Sequence, residues 1–211
     1  VNRMPLEVDG VRAAGRSYNG SKLLDITEVI LKRQIGSGSE ITGVSVSTAN
    51  LQGTLESADA GNYSKITLPE LTLTGTEADK YELIQPTAPV MILAGVTITK
   101  ASAPTITWPA PETIEVGNEL QTSKLTGGST EYGTFAWKNP SQKAEEGTHT
   151  YEVTFTPNPQ TEKNYDITEL TEMVSLQAVA PASTEHEGEI AAAAPKVAPV
   201  AADAPQEVKD I

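Results

Sequence analysis

Tyr151-Glu152-Val153-Thr154-Phe155 alternates large apolar side chains with polar ones. A period of two puts Tyr151, Val153 and Phe155 on one face of an extended chain and Glu152 and Thr154 on the other, as in a strand with one side in a core and one in water. The same alternation recurs in Ile41-Thr42-Gly43-Val44-Ser45-Val46-Ser47, Ile66-Thr67-Leu68 and Leu71-Thr72-Leu73. Gly and Pro punctuate the chain between such runs, as turn residues do. The stretch Ile26 to Ile35 is the most ambiguous, because Val29-Ile30-Leu31 is compatible with an amphipathic turn. Its β-branched Thr27, Val29 and Ile30 favour a strand. No window of helical period competes, so the sequence predicts an all-β chain.

The strands fall into two groups. Val96-Thr97-Ile98 finishes one group, and a short Ala/Ser/Pro linker, Thr99-Lys100-Ala101-Ser102-Ala103-Pro104, leads to an expected strand at Thr105-Ile106-Thr107-Trp108. Each group closes in a similar way, with Lys80-Tyr81-Glu82-Leu83 in the first and Asn164-Tyr165-Asp166-Ile167 in the second. A Tyr at such a place buries its ring and ties its hydroxyl to a neighbouring loop, so Tyr81 and Tyr165 are expected to be structural pins. After Val179 Ala, Pro and Glu dominate, as in Ala191-Ala192-Ala193-Ala194-Pro195. That composition buries too little surface to offset its ordering entropy. The expected organisation is two tandem small Ig-like β-sandwich modules, residues 1–100 and 101–179, followed by a flexible, disordered acidic tail over 180–211.

Composition narrows the function. Aromatics make up only 5% of the 211 residues, so each module must build a thin core from Val, Ile and Leu with a few aromatic anchors. The formal net charge is −13, from 28 acidic and 15 basic side chains, which disfavours nucleic acid and anionic membrane surfaces as partners. Residues 1–100 hold 9 bases and 11 acids while 101–179 hold 4 and 11, so the excess acid of the folded region lies in the second module. There is no cysteine, hence no disulfide framework, thiolate metal site or thiol nucleophile. No apolar run approaches a membrane span, and Val1-Asn2-Arg3-Met4-Pro5 lacks the apolar core of a signal peptide. The segment is expected to be either cytosolic or an internal piece of an exported protein.

The first half resembles a YDG domain through Pro5-Leu6-Glu7-Val8-Asp9-Gly10-Val11, Arg16-Ser17-Tyr18-Asn19-Gly20, Ala58-Asp59-Ala60-Gly61-Asn62-Tyr63, and Leu71-Thr72-Leu73-Thr74-Gly75 through Asp79-Lys80-Tyr81. Asn19 stands where the family's Tyr-Asp-Gly signature has Asp. The second half is similar to an MBG domain through Pro104-Thr105-Ile106-Thr107-Trp108-Pro109, Leu125-Thr126-Gly127-Gly128-Ser129, Tyr132-Gly133-Thr134-Phe135-Ala136-Trp137 and Tyr151 to Pro157, and it departs at Glu115-Val116-Gly117, where an aromatic often precedes the Gly. The resemblance implies stalk or repeat units of bacterial adhesins and other secreted proteins, Gram-positive ones among them, with no catalytic residues and no cofactor. It implies an extracellular place, held at the cell wall by regions outside this segment or secreted, and a monomer within a longer chain.

A search for chemistry agrees with a non-enzyme. His149 lies beside a turn at Glu146-Gly147 and His186 lies in the tail, so no acid, base and nucleophile converge. Gly36-Ser37-Gly38 and Gly127-Gly128 lack the Lys and helix of a phosphate loop and read as turns. Asp59, Asn62, Glu77 and Asp79 are spaced like turn residues more than like calcium ligands. Lys22 and Asn62 are the pair that an isopeptide crosslink would use, and Asn19 and Asn62 meet the glycosylation rule by letter, where turn chemistry is the simpler reason. Binding is a sharper prospect. Sugar sites stack on exposed rings, and the second module offers Trp108, Tyr132 and Trp137, with Phe135 and Trp137 on one strand face. A core needs the same spacing, and with two Phe and two Trp in all the module can spare few rings for water. The expected role is a non-catalytic stalk or spacer and adhesion-type interaction segment of a larger bacterial cell-surface or secreted protein, with a glycan- or host-protein-binding module, or an accessory to a secreted glycan-degrading enzyme, as the rival.

Overall fold

The structure, a computed structural model, describes residues 2–34 and 40–182. Most of the acidic tail, His186 and the Gly36-Ser37-Gly38 turn lie outside the described residues. Among the described residues the fold is all-β apart from one short α-helix and two single-turn 3₁₀ segments.

The first half contributes β1 (Met4–Ala13), β2 (Arg16–Ser17), β3 (Leu23–Arg33), β4 (Ser45–Val46), β5 (Gln52–Thr54), β6 (Gly61–Ile66), β7 (Leu73–Thr74), β8 (Tyr81–Leu83) and β9 (Val90–Thr99). The ambiguous stretch from Ile26 is strand β3, antiparallel to β1 with Val11 opposite Val29. β-branched side chains pack well on that pleated surface. A register shift between Val8 and Gly10 places an extra residue in β1, so that Gly10 and Val11 are both buried and the alternation restarts.

The strands of this half close on themselves. β3 pairs β5, β6 pairs β9, and β9 runs parallel to β1 at Val11 and Ile92. The gap between β5 and β6 is bridged by reciprocal amide bonds of Thr54 and Thr67, at 2.8 and 3.0 Å. The ring encloses Val11, Leu24, Ile26, Leu55, Ile66, Ile92 and Ile98, and a small closed barrel of this kind is filled by side chains. Of Ile41–Ser47 only Ser45 and Val46 form a ladder, paired with β7. Beside this pair Gly75, at φ +112°, comes so close to the Gly43 carbonyl that a Cβ would not fit.

The second half contributes β10 (Ala101–Ser102), β11 (Ala110–Pro111), β12 (Ile114–Glu115), β13 (Leu125–Thr126), β14 (Gly133–Trp137), β15 (Gly147–Pro157), α1 (Pro159–Asn164), β16 (Tyr165–Asp166) and β17 (Leu170–Val179). Its main sheet runs β12-β17-β15-β14, and β11 and β13 form a short pair of their own. Tyr151, Val153 and Phe155 of β15 are all buried, as their alternation requires. Tyr151 and Val153 meet Trp137, Leu120, Val174 and Leu176 in a core separate from that of the first half, and Phe155 packs against Phe135 at 5.1 Å. Thr105–Trp108 forms no ladder. Thr107 is held to Ser129 instead, its amide donating to Ser129 Oγ at 2.8 Å and its carbonyl accepting from the Ser129 amide at 2.9 Å.

Candidate functional site

Two places in the fold concentrate polar and aromatic groups: the seam between the halves and a groove beside strand β14. The seam begins with the loop Ser57–Ala60, whose shape is fixed from within the first half. The Tyr63 hydroxyl donates to the Asp59 carbonyl at 2.7 Å, and Ser57 Oγ accepts the Asp59 amide at 3.1 Å. The carboxylate of Asp59 is thereby turned toward α1 of the second half. Asn158 caps that helix, its side chain accepting from the Thr161 amide at 2.8 Å, with Pro159 at the first helical position.

One carboxylate then gathers three side chains of that helix. Lys163 Nζ lies 2.7 Å from Asp59 Oδ2, Asn164 Nδ2 donates to Oδ1 at 3.0 Å, and Gln160 donates to the same oxygen. Asn164, 1% exposed, also accepts the Ala60 amide at 2.8 Å, so its amide group is satisfied on both sides. The Lys163 ammonium, with Asn164 beside it, holds the Asp59 carboxyl well below the usual carboxylate range, and Asp59 in turn raises Lys163. Next to this cluster Tyr165 packs edge-on against Tyr18 of the first half at 5.4 Å and against Tyr132 at 5.8 Å. The expected linker is itself paired: β10 runs parallel to β16, and the residue before it but one, Thr99, pairs with Ser17.

The groove is on the second half. Phe135 and Trp137 of β14 and, opposite them, Gln121 and Ser123–Thr126 line a shallow, widely open groove of about 540 Å³. Trp137 is tied to the opposite segment, its indole N–H donating to the Ser123 carbonyl at 3.0 Å. Lys124 stands at the rim.

Each residue singled out in the sequence has a definite place. Trp137 is 7% exposed, edge-on to Tyr151 and part of the core. Trp108 is half-buried and stacks edge-on against Phe135 at 5.5 Å. Tyr132 is half-buried and belongs to the seam, not to a surface shared with the tryptophans. Tyr81 is half-buried in β8, and Tyr165 serves the seam. The hydroxyl-to-backbone ties expected of those two are made by Tyr63 and by Tyr151, which accepts the Glu145 amide at 3.0 Å. Lys22 and Asn62 do not meet: Lys22 Nζ donates to the Glu56 carbonyl, and Asn62 Oδ1 accepts from Thr97. Asp59 serves the seam while Glu77 pairs with Lys80, and no group of three His, Asp or Glu fit to hold a metal occurs among the described residues.

Sequence reading missed α1 and the role of Asp59. Asn158-Pro159 followed by Glu162 was a legible helix start. Nothing local marked Asp59, because its partners lie more than a hundred residues away. The Arg16–Gly20 motif is a built turn: Arg16 donates to the Ser21 and Leu23 carbonyls, Asn19 Oδ1 accepts the Ser21 amide at 3.0 Å, and Gly20 takes φ +76°. That turn presents Tyr18 to the second half.

Residues 2–89 match the family model of the YDG domain, in agreement with the resemblance carried by these turn residues. No curated protein matches the chain.

Proposed function

We propose that this chain, whose first half matches the YDG domain, is a non-catalytic structural spacer within a larger cell-surface or secreted bacterial protein, its second half an MBG-type module. The observation that carries this reading is the seam. A spacer must transmit position from one module to the next, and here a carboxylate, three polar side chains and a file of three tyrosines join the halves without a slack linker. Both interiors are filled by aliphatic and aromatic side chains that leave stacking and ladder bonds, not reactive groups, as the main content of the fold. The chain would then lie outside the cell, attached through neighbouring parts of a longer polypeptide.

Spin labels on exposed positions of the two halves, read by pulsed dipolar spectroscopy, test this. A single narrow distance distribution, with small-angle scattering that fits one extended arrangement, is the expected result. A broad distribution, or a compact particle with the halves packed over a large area, counts against a spacer.

The alternative, a carbohydrate- or host-protein-binding module accessory to a secreted glycan-degrading enzyme, draws support from the half-buried Trp108 and the groove beside Phe135. A glycan array probed with the intact chain separates it from the spacer reading. Retention of a defined oligosaccharide that is lost on Trp108→Ala would favour this alternative.

A further inference from the structure

β14 is the last strand of its sheet, paired on one side only, with β15. The register fixes which of its backbone groups are spent. The Lys138 amide donates to the Glu152 carbonyl at 3.0 Å and the Asn158 amide to the Tyr132 carbonyl at 2.9 Å. In an antiparallel ladder these bonds fall on alternate residues, so Thr134 and Ala136 also face β15. The amides and carbonyls of Phe135 and Trp137 therefore point away from the sheet, and no described residue bonds them.

Free strand edges are ordinarily guarded by Pro, by charge, by a bulge or by a covering loop. β14 carries neither Pro nor a charged residue from Gly133 to Trp137, and its register with β15 runs without a shift. Directly below the free groups is the groove, whose wall is made by the side chains of the same two residues. A strand added beside β14 would place alternate side chains next to Phe135 and Trp137, on the groove side, at the spacing of cross-strand neighbours. Main-chain bonds and a pocket for alternate side chains are the two requirements for recognising an extended peptide.

We propose that β14 is a docking edge for an extended peptide of a partner protein, which pairs with the Phe135 and Trp137 backbones and inserts an apolar side chain between Trp137 and Leu125. The rim selects the partner's charge. Lys124 is exposed and makes no ion pair among the described residues, so in a chain of net charge −13 it is a cation left over at the mouth of an apolar groove. An Asp or Glu beside the inserted apolar residue would meet it. The inference is independent of the spacer reading, since a stiff seam and an open edge are compatible.

The test selects a phage-displayed library of random peptides, about ten residues long, on the intact chain. The expected result is a family of sequences with apolar residues at alternate positions and an acidic residue among them. A synthetic copy should slow hydrogen exchange of the Phe135 and Trp137 amides while leaving those of Thr134 and Ala136, already bonded, unchanged. Leu125→Trp, which fills the groove, should weaken binding by about tenfold or more. Lys124→Glu, at an exposed position where folding is safe, should weaken it severalfold and shift a repeat selection away from acidic peptides. Recovery of no peptide, or of peptides that leave both amides unprotected, overturns the proposal. So does binding that survives Lys124→Glu with its acidic preference intact. If both amides become protected in the free chain as its concentration rises, with a dimer in sedimentation, the edge belongs to a second copy and the partner-peptide assignment fails.

Discussion

The Asp59 carboxylate and the Lys163 ammonium, 2.7 Å apart, belong to different halves of the chain. The Asp59 side chain is 19% exposed and that of Lys163 is 53% exposed, so the ion pair alone is screened and of modest worth. Its setting matters more, because the same carboxylate also satisfies the fully buried amide of Asn164.

Asn164→Ala removes both of that residue's bonds across the seam and leaves the Ala60 amide without its acceptor. It should destabilise the chain by about 1–3 kcal/mol, the cost of an unsatisfied buried polar group. Urea unfolding measures the loss, and spin-label distances between the halves should broaden. Lys163→Ala should do less of both, because its partner keeps Asn164 and Gln160.

Acid should act on the seam only far below neutrality. Asp59 titrates below the ordinary carboxylate range because Lys163 and Asn164 favour its charged form. A group depressed in this way contributes stability that is fully present above the unfolded carboxylate value, about pH 4, and is lost as pH falls from there toward its folded value. The stability difference between the parent chain and Asp59→Asn should therefore be constant from pH 8 to about pH 5 and shrink only below about pH 4. A difference that vanishes near pH 6 would contradict the arrangement.

The two tryptophans should be separable by light. With Trp108→Phe the remaining Trp137 should emit at short wavelength and resist acrylamide, since it is 7% exposed and bonded to Ser123. With Trp137→Phe the half-buried Trp108 should be quenched more readily. Trp137→Phe should cost about 1–3 kcal/mol from the orphaned carbonyl and lost packing, and Trp137→Ala about 3–5 kcal/mol.

Ala94 sits in β9 at φ +66°, beside Gly95 at the same value. This pair lies in the irregular stretch where β9 passes from Val96, opposite Tyr63, to Met91, opposite Lys65. A side chain in the left-handed region is strained, so Ala94→Gly should leave the fold unchanged and raise stability by about 0.5–1 kcal/mol. Thermal unfolding is the measurement.

An isopeptide bond between Lys22 and Asn62 should be absent. Each side chain is engaged elsewhere, so the intact mass should equal the calculated one, with no loss of ammonia.

Local pattern was enough wherever a side chain's surroundings follow from its own strand. The period of two in Tyr151–Phe155 determined which side chains are buried, and the β-branched residues after Ile26 determined a strand, because both effects act within a few residues. The turn chemistry of Asn19-Gly20 and Gly127-Gly128 was legible for the same reason: positive φ is a property of single residues. The rest needed the tertiary structure. Closure of the first half through Thr54 and Thr67, the meeting of Tyr18 with Tyr165, and the gathering of Gln160, Lys163 and Asn164 on Asp59 all join residues far apart in the chain. No local rule specifies such pairs, since many polar and aromatic residues of the same kind were equally available. Whether Trp137 lines a surface or a core was likewise decided by the partner layer, where the Ser123 carbonyl accepts its indole N–H.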